Sequence, residues 1–235
     1  MAHSYLIDRC FFVGGKKIKI KISNIDTIPP KATFGEHILD RNTLDATKKV
    51  NVRFKNIVYN SDDLGETWKL KKIDNISEIK NIFTTISDKI IISGSDSENP
   101  DRHRITVLDR NLNQLNSSIS GKFSWHGTYS IDESDGCIMY GEYPPNKSSD
   151  INKFSSTVMR SLDDGFSWEE ILKIGHPTIR HFHTCNSIPF IENGWLVTSG
   201  NAPKQCKFLL SKDNGDTWGE INDIKQISKL NNDFK

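Results

Sequence analysis

The chain of 235 residues is short of most features that mark a specialised class. Four cysteines, Cys10, Cys137, Cys185 and Cys206, stand without a C-x-x-C pair, which argues against a zinc ribbon and leaves reduced, mostly buried thiols as the simple reading. The formal net charge is only +1, with 31 Lys and Arg against 30 Asp and Glu, so there is no electrostatic case for nucleic acid or for an anionic membrane. Apolar runs such as "IIIS" are strand-sized and too short to span a bilayer. The N-terminus "MAHSYLIDRCFF" places charged residues where a secretory h-region is continuous and apolar. A cytoplasmic chain is expected from this, or a secreted one if the sequence is a fragment. No segment carries a persuasive helical period.

What is present is a repeated octet. "SDDLGETW" (61–68), "SLDDGFSW" (161–168) and "SKDNGDTW" (211–218) share Ser-x-Asp-x-Gly-x-[Ser/Thr]-Trp, at intervals of 100 and 50 residues. The gap asks for a fourth unit near residue 113, where "ITVLDRNLNQLN" (105–116) reads as a decayed copy that keeps a hairpin and loses the signature. Upstream of the second and third octets comes an alternating strand, a turn and a second apolar strand, "WHGTYSIDESDGCIMYGEY" (125–143) and "FHTCNSIPFIENGWLVTSGN" (182–201), and "IFTTISDKIIISG" (82–94) repeats the scheme in the second unit. Each period of about 50 residues therefore holds four strands, A to D, with the octet at the C-to-D turn. The expected fold is all-β: one β-propeller domain over 1–235, with four-stranded blades at about 15–75, 76–120, 121–175 and 176–225. At about 50 residues each, four to five blades fit within the chain.

The octet has a physical reason. An aspartate can accept hydrogen bonds from the N–H groups of its own turn, Gly65, Gly165 and Gly215 supply a positive φ, and Trp68, Trp168 and Trp218 cover the apolar side of the hairpin. Calcium binding is the alternative, but the Asp213, Asn214, Asp216 spacing does not match an EF-hand loop, and no metal or other cofactor is expected. The octets resemble the Asp box, or bacterial neuraminidase repeat, of sialidase-like β-propellers, a resemblance that covers roughly 50–225. It implies that the octets are structural and lie on the face away from the active site, and that the ring has six blades; six would need around 300 residues, so an incomplete six-bladed propeller is expected. Against strict sialidases, the chain has no Arg-Ile-Pro, and with at most Arg180, Arg102 and Arg104 near the right face a complete arginine triad is not assigned.

The start of strand A and the end of strand B then ring the mouth of the channel. Candidate catalytic residues there are His126, Tyr140, Glu142 and His183; candidate substrate-binding residues are Trp125, Tyr143, Arg180, His181 and Asn201. His126 and His183 occupy equivalent positions, matched by Asn81 in the second unit, and an imidazole there can be a general base or acid. His181 and His183 share a side, as do Tyr140 and Glu142, while Tyr143 points the other way. The resemblance implies a carbohydrate ligand, with three readings open. A hydrolase would use Glu142 with Tyr140 or Tyr143; a uronate lyase would use His126 or His183 as base, a tyrosine as acid and Arg180 on the carboxylate; a binding module would use the same mouth without chemistry.

Overall fold

The computed structural model describes residues 10–13, 16–19, 50–62, 67–127, 129–144, 155–200 and 202–221. Among these residues, seventeen strands and one 3-10 turn are the regular structure. A hairpin, β1 (Cys10–Val13) with β2 (Lys16–Lys19), forms a separate two-stranded sheet that includes the first part of the "KIKIKIS" run. Four antiparallel sheets follow in chain order. The first has β3 (Val50–Phe54), β4 (Ile57–Ser61) and β5 (Lys69–Lys72); the second has β6 (Ile76–Thr84), β7 (Ile90–Asp96), β8 (His103–Leu108) and β9 (Gln114–Ile119). The third has β10 (Ile131–Ser134), β11 (Cys137–Gly141), β12 (Ser155–Ser161) and β13 (Glu169–Gly175). In the fourth, β14 (Phe182–Ser187), β15 (Trp195–Ser199), β16 (Lys207–Ser211) and β17 (Gly219–Glu220) pair in the same simple order. This is the all-β, four-stranded architecture of a partial β-propeller; within the described residues the first sheet has three strands rather than four.

Residue alternation explains why the sheets stack. In β11, Ile138 and Tyr140 point into a core shared with the second sheet, through Phe83, Ile91, Ile105 and Val107, whereas Cys137 and Met139 point into a core shared with the fourth. The same split occurs in β7: Ile90 and Ile92 join Val58 of the first sheet, and Ile91 faces the third. A strand with side chains of period two and an apolar neighbour on each side has to be apolar throughout, which is why β7 and β11 read as continuous hydrophobic runs. Each fully buried isoleucine contributes on the order of 1.5–3 kcal/mol.

The octets seal these interfaces at one end of the strands. In the 161–168 copy, Asp163 accepts from the Ser161 hydroxyl at 2.8 Å, from the Ser167 N–H at 2.8 Å and from the Ser167 hydroxyl at 2.6 Å. Ser161 Oγ accepts from the Gly165 N–H at 2.9 Å, and the Trp168 indole donates to the Gly165 carbonyl at 3.0 Å. The 211–218 copy repeats every one of these bonds with Ser211, Asp213, Gly215, Thr217 and Trp218. Bonds from Thr217 and Ser211 hold the Asp213 carboxyl down at about 2. In the first octet Asp63 to Glu66 lie outside the described residues.

Each described octet also docks on the preceding sheet. Trp168 packs against the cluster that holds Ile91 of the second sheet, beside Tyr140 of its own sheet at a ring centroid distance of 5.0 Å, and Lys89 of the second sheet pairs with Asp164. Arg160 in β12 donates to the Asn214 carbonyl and to Asp216, both at 2.6 Å. The unit near residue 113 keeps the turn chemistry without the signature: Asp109 accepts from the N–H groups of Asn111 and Asn113, both at 2.8 Å, and Leu112, at φ +66°, is buried.

Candidate functional site

Antiparallel order puts the octets and the A-to-B turns at one end of the sheets, and the B-to-C loops and D-to-A connectors at the other. A cleft of about 810 Å³ opens at this second end, between the second and third sheets. Its floor depends on the connector after β9. Glu142, only 1% exposed, accepts from the backbone N–H groups of Lys122 at 2.5 Å and Phe123 at 2.9 Å, and also from the Thr157 hydroxyl. Gly121 makes this approach possible: at φ +61°, a Cβ there would sit 2.5 Å from Glu142 Oε1. Asn81 fixes the next stretch, donating to Ser124 Oγ at 2.7 Å and to the Trp125 carbonyl at 2.6 Å.

The lining is biased in charge. Lys80, Arg102 and Lys122 contribute three cations and Asp101 a single anion, beside the aromatic Phe123, Trp125 and Tyr143. His103 and His126 add imidazoles. An amphipathic lining of this kind suits a polar, anionic ligand with apolar ring faces.

At the edge of the cleft is a cluster of rings. Tyr143 stacks on His181 with centroids 3.8 Å apart and meets His126 edge-on at 4.0 Å. His181 lies 4.7 Å from His183, and His126 lies 6.5 Å from His183. The Tyr129 hydroxyl is hydrogen-bonded to His126 Nδ1. Three segments bring these residues together: the connector entering β10, the one leaving β11, and the start of β14 with the residue before it.

So His126, Tyr143, His181 and His183 gather, and other expected site residues do not join them. Tyr140 is wholly buried between Trp125 and Trp168, its hydroxyl 3.4 Å from Ser120 Oγ; burial, with Glu142's charge adding, pushes its phenol far above the ordinary range. It is a core residue, not a reachable nucleophile. Glu142 has three donors on its carboxylate and is committed to holding backbone, which corrects the expectation that it works on substrate. Trp125 is 2% exposed and packs on Tyr140 at 5.2 Å, so it underlies the cleft and does not present a stacking platform. Arg180 is half-buried, lends its carbonyl to the Ser156 hydroxyl and is not part of the cleft lining. Asn81 serves the connector and stays apart from the rings, and Asn201 lies outside the described residues.

Sequence reasoning missed His103 and Tyr129. His103 opens β8, and its Nδ1 lies 2.9 Å from the Ser120 carbonyl; burial lowers its pKa to about 4. Nothing in "HRITVL" signals this, because the partner comes from the far end of β9. Tyr129 stands three residues after His126, a spacing that a turn brings together and a strand would not.

No protein-family model matches the chain, and no curated protein sequence does. Solved structures do. Over 74% of its length the chain is similar to an ancestral GH74 enzyme, a β-propeller glycoside hydrolase, with a TM-score of 0.51 and 16% identity. It is also similar to a chain of the nidogen/laminin complex (76% of this chain, 62% of that one, 10% identity, TM-score 0.46). A third match is an uncharacterized protein from Listeria monocytogenes EGD-e (74% and 49%, 11% identity, TM-score 0.42). The match to the GH74 enzyme spans only 22% of that enzyme, and at this identity the likeness is one of fold: a partial β-propeller of four-stranded antiparallel sheets.

Proposed function

We propose that this chain is a carbohydrate-active, sialidase-like propeller that takes an acidic glycan in the cleft and cleaves it by β-elimination at a uronate residue. The observation that carries the reading is the packing of Tyr143 against His126 and His181, with His183 alongside, on the border of a cleft lined by three cations and one anion. The octets, whose sequence resembles an Asp box and whose Asp163 and Asp213 accept from their own turns, support the sialidase-like part of the proposal, and the GH74 enzyme's fold agrees with a carbohydrate-active propeller.

Elimination needs three things from the protein. Arg102 and Lys122 neutralise the uronate carboxylate, which acidifies the proton on the adjacent C5. His126, oriented by Tyr129 on Nδ1, takes that proton on Nε2. The electron pair forms the C4=C5 double bond, the C4–O bond breaks, and Tyr143 gives its proton to the departing oxygen. His126 then returns its proton to Tyr143, which restores the starting state. Hydrolysis is the weaker reading, because Glu142 is occupied by three donors and Tyr140 is sealed in the core.

The test is incubation with polygalacturonate, alginate and hyaluronate. Elimination yields unsaturated ends that absorb in the ultraviolet, and that product is lost in His126→Ala and Tyr143→Phe. New reducing ends without the absorbance would replace the elimination mechanism by hydrolysis. Binding without turnover would make the chain a glycan-binding module.

A further inference from the structure

Two buried nitrogens on residues that border the cleft have no role in the chemistry proposed above. Of the described residues that line it, His103 and Trp125 are the ones whose buried polar atoms, Nε2 and Nε1, lack a hydrogen-bond partner within the protein. The two side chains are 4% and 2% exposed and pack against the same residue, Tyr140, at ring centroid distances of 6.4 and 5.2 Å. Buried polar atoms are nearly always paired, so each of these nitrogens, on a residue that borders the cleft, is short of one partner within the protein.

The chemistry of each nitrogen follows from its surroundings. His103 Nδ1 lies 2.9 Å from the Ser120 carbonyl, and a carbonyl only accepts, so Nδ1 carries the proton. Burial keeps this imidazole neutral down to about pH 4. Nε2 therefore holds a lone pair and needs a donor, whereas the Trp125 indole N–H needs an acceptor. A carboxylate can satisfy only the second. A hydroxyl can satisfy either, because it both donates and accepts.

We infer that His103 and Trp125 form a hydroxyl-reading floor in the cleft, where one ligand hydroxyl donates to His103 Nε2 and a ligand oxygen accepts from Trp125 Nε1. The inference rests on the acidic-glycan reading and adds a division of labour to it: Arg102 and Lys122 take the carboxylate, and the floor takes the sugar's neutral face. Both atoms are covered, so a bound sugar reaches them by displacing lining side chains. The floor rejects a carboxylate, whose lone pairs would face that of His103, and a deoxy sugar, which would leave the nitrogens unpaired.

The experiment measures binding of the same three polyuronates, as short oligosaccharides, to the full chain by calorimetry. His103→Asn keeps an amide N–H for the Ser120 carbonyl and removes the Nε2 acceptor; Trp125→Phe keeps the ring against Tyr140 and removes the N–H. Each is expected to weaken the best-bound oligosaccharide about tenfold or more. Thermal unfolding without ligand separates this from loss of fold. A structure of the wild-type complex is the second measurement, with a ligand hydroxyl in hydrogen-bond contact with His103 Nε2 as the supporting result. Wild-type affinity in both variants, or an ordered water that stays on Nε2 in the complex, overturns the floor and leaves the acidic-glycan reading standing. Failure of the wild-type chain to bind any of the three overturns both.

Discussion

Asp132 and Glu133, adjacent in β10, reach to opposite neighbouring sheets. Asp132 accepts from the Ser187 N–H at 3.0 Å and its hydroxyl at 2.9 Å in the fourth sheet, and Glu133 accepts from the Ile86 N–H at 2.7 Å in the second. Consecutive strand residues point to opposite faces, so a two-residue segment latches three sheets. Asp132→Ala is expected to cost about 1–3 kcal/mol in chemical denaturation, since it strands two donors. Glu133 is held above the usual carboxylate range mainly by burial, so the fold favours its protonated form. Its contribution is therefore present at low pH and lost as pH rises, and Glu133→Gln is expected to flatten the pH dependence of stability on the acid side of neutrality.

Gly165 tests the octets as inter-sheet seals. It sits at φ +85°, and a Cβ would come within 2.7 Å of Ile91 Cδ1 in the preceding sheet. Gly165→Ala combines backbone strain with overpacking and is expected to cost about 2–4 kcal/mol in thermal or urea melts. Gly215, at φ +88° against Ile171 and Met139, is expected to behave the same way. An alanine variant as stable as wild type at either position would refute the seal.

Glu142 distinguishes backbone holding from catalysis. Glu142→Gln keeps the shape and removes the charge that strengthens the bonds from Lys122 and Phe123, an expected loss of about 1–2 kcal/mol in stability. For the elimination proposed above, the shape of the pH–rate profile is expected to stay as in wild type. Loss of one limb of that profile without loss of stability would restore Glu142 to the chemistry.

His103 predicts a specific acid sensitivity. Its folded pKa of about 4 lies below the ordinary 6.5, so the unfolded chain takes up a proton that the folded chain refuses. The stability it contributes is fully present above about pH 6.5 and is lost progressively as pH falls towards 4, with about 2 kcal/mol gone by pH 5. His103→Asn is expected to lose this part of the slope, measured by urea denaturation at both pH values.

The repeat was the most legible feature of the sequence, because turn chemistry is local. Asp163, Gly165 and Trp168 act within one octet, and the spacing of such octets carries the strand count with it. Even the degenerate unit betrayed itself through Asp109. The site was less legible. Placing strand ends by topology selected His126, Tyr143, His181 and His183, which do gather, but the same rule selected Tyr140 and Glu142, which turn inward. Whether a side chain at a strand end faces the mouth or the core depends on what the neighbouring sheet offers it. For Glu142 that was two backbone N–H groups on a connector about twenty residues upstream, exposed to it by Gly121.

Strand β11 also bears on how such a chain can arise. Its two faces serve different interfaces, Ile138 and Tyr140 towards the second sheet, Cys137 and Met139 towards the fourth. The surface that a unit presents forwards therefore has to match the one its predecessor presents backwards, a head-to-tail relationship. A gene segment encoding one unit carries both halves of that match, so tandem duplication adds a unit that already fits its parent. Divergence afterwards is free at the solvent-facing turns and constrained in pairs across each interface.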